Sequence, residues 1–69
     1  MENGERITVN LTKSAAIALS TVAESEGINK TDVVAKSLKA YAYFIEAQNE
    51  GATLFFQYED GTKERVKFL

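Results

Sequence analysis

The segment Arg6-Ile7-Thr8-Val9-Asn10-Leu11 decides how this chain is read. Its polarity alternates without a break: Ile7, Val9 and Leu11 fall on one side, Arg6, Thr8 and Asn10 on the other. Period-two alternation with β-branched residues predicts a half-buried strand. A lone strand this short leaves both edges unpaired and is not stable by itself. Two partners are open to it. One is the same segment of a second copy, giving an antiparallel two-stranded ribbon. The other is the C-terminal part of its own chain, giving a monomeric α+β domain.

Thr12 follows as a helix N-cap, its hydroxyl an acceptor for first-turn amides. The alanine-rich residues 14–26 form a first predicted helix, with Ala16, Leu19, Val22, Ala23 and Glu26 on one stripe, apolar but for the last. Gly27 ends it, as a glycine just past a helix does. Asn29 is a second N-cap, and Asp32 makes a capping-box-like pair with it while suiting the helix dipole. The second helix runs from Lys30 to about Asn49. Val34, Leu38, Tyr41 and Ile45 form its main stripe, and Val33, Ser37, Ala40 and Phe44 a neighbouring one. A helix apolar on two stripes needs more than one neighbour, which points to a partner chain. Gly51 stops it.

Residues 52–69 are predicted to form a β-hairpin around Glu59-Asp60-Gly61. A two-residue Asp60-Gly61 loop would set Leu54, Phe56 and Tyr58 opposite Lys67, Arg65 and Lys63. A three-residue loop, with Gly61 in a left-handed bulge, sets them opposite Val66, Glu64 and Thr62, with Phe68 on the same side. Phe55 and Gln57 then share the other side with Arg65 and Lys63. The second register separates apolar from charged side chains better, and one residue of slip inverts the face, so it is preferred. The organisation is thus a flexible arm (residues 1–5), a strand-helix-helix domain (6–50) and a hairpin extension (51–69).

Composition narrows the function. Sixty-nine residues make one small domain, too small to bury much apolar surface alone. Such scaffolds add disulfides, a metal or a second subunit. The chain has no Cys and no His, which leaves oligomerisation and removes the usual zinc ligands. No metal site or cofactor is expected. No phosphate loop or nucleophile motif is present, so an enzyme is not expected. No window resembles a signal peptide or a membrane span, so a soluble, cytoplasmic protein without membrane contact is expected. The net charge of −2 counts against nucleic-acid binding, since neutralising phosphate usually requires a basic surplus. Tyr41, Tyr43 and Phe44 at helical spacing, and Phe55, Phe56 and Tyr58 in the hairpin, are expected to pack rather than to bind a ligand. Tyr43, off the main stripes, is expected under the hairpin.

The alternating strand, the Thr12 cap, the short helix, the junction Gly27-Ile28-Asn29-Lys30-Thr31, and then Val33-Val34 and Ser37-Leu38 leading to Tyr41 resemble the ribbon-helix-helix family of CopG, Arc and MetJ type. The likeness covers residues 6 to about 44. Asn29 departs from the family's usual Ser or Thr but keeps the capping chemistry, and the hairpin is not part of the minimal family fold. The resemblance implies a mainly α fold with short β, built as a ribbon-helix-helix homodimer around an intersubunit two-stranded ribbon, here with a C-terminal β-hairpin added. It implies double-stranded DNA as partner, with Arg6, Thr8 and Asn10 reading base edges in the major groove. Asn29, Lys30 and Thr31 match the second-helix start that clamps the DNA backbone, and Lys13 is a further phosphate candidate. The dimer core would be Ile7, Val9, Leu11, Leu19, Val34, Leu38 and Tyr41, with higher-order assembly on DNA left open.

Those residue types suit base reading, since Arg bonds guanine bidentately, Asn bonds adenine, and Thr offers a hydroxyl or packs its methyl on thymine. Taken alone, the same three residues equally describe the solvated face of an amphipathic strand. The expected function is a sequence-specific DNA-binding transcriptional repressor. The alternative is an antitoxin or protein-interaction module whose hairpin holds a partner protein.

Overall fold

A computed structural model describes residues 4–67 of the chain. Two helices precede a short hairpin: α1 (Lys13–Glu26), α2 (Lys30–Asn49), then the strands β1 (Phe55–Gln57) and β2 (Lys63–Arg65). Among the described residues the protein is mainly helical, with one antiparallel two-stranded sheet. It divides into two compact units, Met1–Val34 and Ala35–Leu69. Residues 1–3 of the expected arm, and Phe68 of the expected hairpin face, lie outside the described residues.

In the first unit, α1 starts where its cap dictates. Thr12 is extended (φ −65°, ψ 162°) and its hydroxyl accepts the Ala15 N–H. That satisfies one of the amides a helix start leaves free. The helix begins at Lys13, one residue ahead of the predicted start. The run from Lys13 to Glu26 is rich in alanine, so propensity favours it. Its charges do not: the first turn holds no acid, the last turn holds no base, and Glu24 and Glu26 lie at the negative end of the dipole. The termination is geometric instead. Gly27 takes the left-handed conformation (φ 66°), which costs glycine least. The Ile28 N–H then reaches back to the Ala23 carbonyl at 3.2 Å, the six-to-one bond of a Schellman motif. Asn29 at once caps α2, its Oδ1 accepting the Asp32 N–H at 2.8 Å. Val33 is the single buried residue among those described, with Leu19, Ala23 and Ile28 half-buried.

In the second unit, α2 closes by the same device, the Ala52 N–H bonding the Ala47 carbonyl at 3.0 Å. The hairpin pairs Phe55 with Arg65, Phe56 with Glu64 and Gln57 with Lys63. This is the register preferred on pattern, with a three-residue loop. Tyr58 N–H bonds the Thr62 carbonyl, Gly61 N–H bonds the Tyr58 carbonyl, and Gly61 has φ 90°, the left-handed bulge position. Asp60 braces the loop, its Oδ1 accepting from both the N–H and the hydroxyl of Thr62. Those donors, the hydroxyl first, hold its carboxyl below the ordinary 3.8.

Tyr41, Tyr43, Phe55, Phe56 and Tyr58 are exposed in the single chain, and Phe44 is half-buried. Tyr43 and Phe44 approach each other at 6.3 Å between ring centres. With Ala47, Ala52 and Leu54 they line an open hollow of about 360 Å³ rimmed by Glu46 and Glu50. Tyr43 is therefore at a solvent-facing rim rather than under the hairpin. The physical reason is size: part of one helix and a two-stranded hairpin do not supply enough surface to cover these rings.

Candidate nucleic-acid interface

The residues expected to meet DNA all belong to the first unit. Residues 4–11 carry no helix, strand or turn. No backbone hydrogen bond joins residues 5–11 to any other described residue. The segment predicted as a strand thus forms none in the single chain, and its N–H and C=O groups make no backbone hydrogen bond among the described residues. Its apolar side chains are equally uncovered, Ile7 being 69 %, Val9 63 % and Leu11 48 % exposed. Three large aliphatic side chains in alternation, open to water, are an unusual feature for a segment of a finished fold.

The polar side chains of the segment, Arg6, Thr8 and Asn10, are exposed and have no hydrogen-bond or ion-pair partner among the described residues. Between them they offer a planar cationic donor, a hydroxyl and an amide, each able to bond a base edge.

The start of α2 is the second element. Asn29 fixes the helix entry, and the Lys30 and Thr31 side chains that follow are exposed. The backbone N–H groups of Lys30 and Thr31 have no acceptor among the described residues, as the first amides of a helix must. Free amides and the positive dipole end make an anion site in principle. Asp32 in the same turn offsets part of that field, so the net attraction for a phosphate there is carried by Lys30. Lys13, the first residue of α1, is exposed and adds a further cation, beside a Thr12 hydroxyl occupied by the Ala15 amide and 3.3 Å from the Ser14 hydroxyl.

Of the expected dimer-core residues, Leu19 is half-buried, while Ile7, Val9, Leu11, Val34, Leu38 and Tyr41 are all exposed in the single chain. Two features of the hairpin escaped the sequence reading. The Tyr58 hydroxyl donates to Glu64 Oε1 at 2.7 Å, and the acceptor's charge, through that bond, holds the phenol above its ordinary 10.0. The same-face diagonal of Tyr58 and Glu64 was implicit in the preferred register, but the bond itself was not anticipated. Among the described residues the outer edge of β1 also has no neighbouring strand.

Among the described residues no group of three or more His, Cys, Asp or Glu could hold a metal ion, and no helix is long and apolar enough to cross a membrane. Comparison with family models, curated proteins and solved structures finds no match to this chain.

Proposed function

We propose that this chain is a sequence-specific double-stranded DNA-binding protein that works as a homodimer and acts as a transcriptional repressor by occupying its site. Residues 6–11 of two copies pair antiparallel. Ile7, Val9 and Leu11 turn inward against the helices, and the two sets of Arg6, Thr8 and Asn10 enter the major groove, which admits a two-stranded ribbon and presents a distinct donor and acceptor pattern at each base pair. Lys13, Lys30 and the amides at the start of α2 hold phosphates.

The observation that carries this reading is the state of residues 6–11: an alternating segment whose backbone bonds no other described residue and whose apolar side is exposed. The exposure of Val34 and Leu38 along α2 supports it, because a dimer supplies apolar surface to cover such side chains. Twofold symmetry also doubles the cationic contacts, which suits a chain of net charge −2 that has few to offer. Selection from a random duplex pool, followed by mobility-shift assays, tests the reading. Enrichment of one short inverted repeat is the expected outcome, and recovery of no preferred sequence would count against it.

The second reading, an antitoxin or interaction module, keeps the dimer and gives the hairpin a protein partner. The exposed Phe55, Phe56 and Tyr58 favour it over a bare DNA reader. The two differ in outcome: deleting residues 52–69 leaves operator binding intact in the first and abolishes partner capture in the second.

A further inference from the structure

The two strands of the hairpin are chemically unlike. β1 and its flanks read Leu54-Phe55-Phe56-Gln57-Tyr58, without a charge and apolar but for Gln57. β2 and its flanks read Thr62-Lys63-Glu64-Arg65-Val66-Lys67. Charged strands are how sheets protect an outer edge, and strands apolar on both faces belong inside a sheet. Yet among the described residues β1 has only one neighbour. Its ladder to β2 uses the backbone of Leu54 and Tyr58, through Val66 N–H to the Leu54 carbonyl and Tyr58 N–H to the Thr62 carbonyl. By alternation, the N–H and C=O groups of Phe55 and Gln57 face the open side.

We infer that β1 is the central strand of a four-stranded antiparallel sheet, completed by β1 of a second copy. The occupant follows from the edge itself. Phe55 and Gln57 flank Phe56 symmetrically, so an antiparallel copy in the register Phe55 opposite Gln57 satisfies every outward backbone group on both strands. An uncharged strand meets its own copy without like-charge opposition, whereas β2 would set lysine and arginine against themselves. In this register Phe56 stands opposite Phe56 of the second copy as a non-hydrogen-bonded pair, the closer kind, and Leu54 stands opposite Tyr58. The face already holding Leu54, Phe56, Tyr58 and Val66 becomes continuous across both copies. Two short strands bury less than the roughly 1,000 Å² a free-standing interface needs, so this contact rests on the homodimer proposed above, which holds the copies together at high effective concentration.

The chain has no cysteine, so single cysteines report the register cleanly. Non-hydrogen-bonded antiparallel pairs have Cα atoms roughly 4.5 Å apart, within the disulfide window of roughly 4.4–6.8 Å. Mild oxidation of Phe56→Cys in the full chain is expected to shift the protein from its 7.6 kDa band to the dimer band, reversibly with reductant. Leu54→Cys and Tyr58→Cys are expected to cross-link when mixed and not alone, which keeps the test independent of the Phe56 ring. Sedimentation of the same samples separates this inference from the function. Dimers that do not cross-link at either pair overturn the shared sheet and leave the N-terminal ribbon standing. A protein monomeric before oxidation removes the ribbon. Cross-linking of Leu54→Cys alone would mean a different register and would refute the pairing of Phe55 with Gln57.

Discussion

Val9 sits at the middle of the apolar side of residues 6–11 and is 63 % exposed in the single chain. In the proposed ribbon it is covered. Val9→Ala removes two methyl groups, and full burial of each is worth ~0.8 kcal/mol. With about two-thirds of the side chain still in water before pairing, the lost driving force is about 1 kcal/mol per copy and about 2 kcal/mol per dimer. At 1.4 kcal/mol per decade this weakens the dimer about 30-fold. Val9→Lys places two ammonium groups at the same seam. The effective penalty is several kcal/mol per buried ion, enough to remove the dimer at micromolar concentrations. Sedimentation velocity over a concentration series reads both effects. Far-UV circular dichroism should fall along with the mass, because helices of this length are marginal without packing. An unchanged dimer constant in Val9→Ala, or a folded dimer of Val9→Lys, would refute the ribbon.

Four further outcomes are expected. Arg6→Ala loses about 1–3 kcal/mol of specific binding and relaxes base preference at its position, read by mobility shift on the selected operator and its point variants. Lys30→Ala weakens all sequences alike and flattens the log–log salt slope by about two, one per copy, whereas an unchanged slope removes Lys30 from the phosphate contacts. Asn29→Ala costs about 1 kcal/mol through the lost cap and Asn29→Asp restores it, measured by thermal unfolding. Glu64→Gln brings the Tyr58 phenol back toward 10.0, seen as the loss of a late-titrating phenol in an ultraviolet pH titration. The sign follows from its raised value: the neutral phenol's bond to Glu64 is present below the ordinary pKa and is lost as pH rises through the raised one.

The features that were legible in advance are those in which the determining contact is local. Thr12, Gly27, Asn29 and Gly51 each satisfy or end a helix turn through bonds to residues within five positions, so their chemistry shows in the residue type alone. The hairpin register was legible because polarity assigns each side chain to a face and Gly61 permits one loop geometry. The aromatic residues were not legible in the same way. Tyr43 and Phe55 have the composition of core residues, but their cover depends on surface that one short chain does not contain. Residues 6–11 pose the same problem more sharply: alternation predicts a strand, and nothing among the described residues of a single copy pairs with it. For the candidate site, the residue types were readable, while the freedom of the Lys30 and Thr31 amides and the opposing charge of Asp32 became weighable only with the helix start in place.

The most direct measurement is an isotope-filtered NOE experiment on a mixture of labelled and unlabelled protein. Cross-copy contacts between protons of residues 6–11 are expected, with Val9 and its neighbours facing their counterparts in antiparallel order. Contacts confined to one chain, in a particle whose mass is that of one copy, would contradict the account.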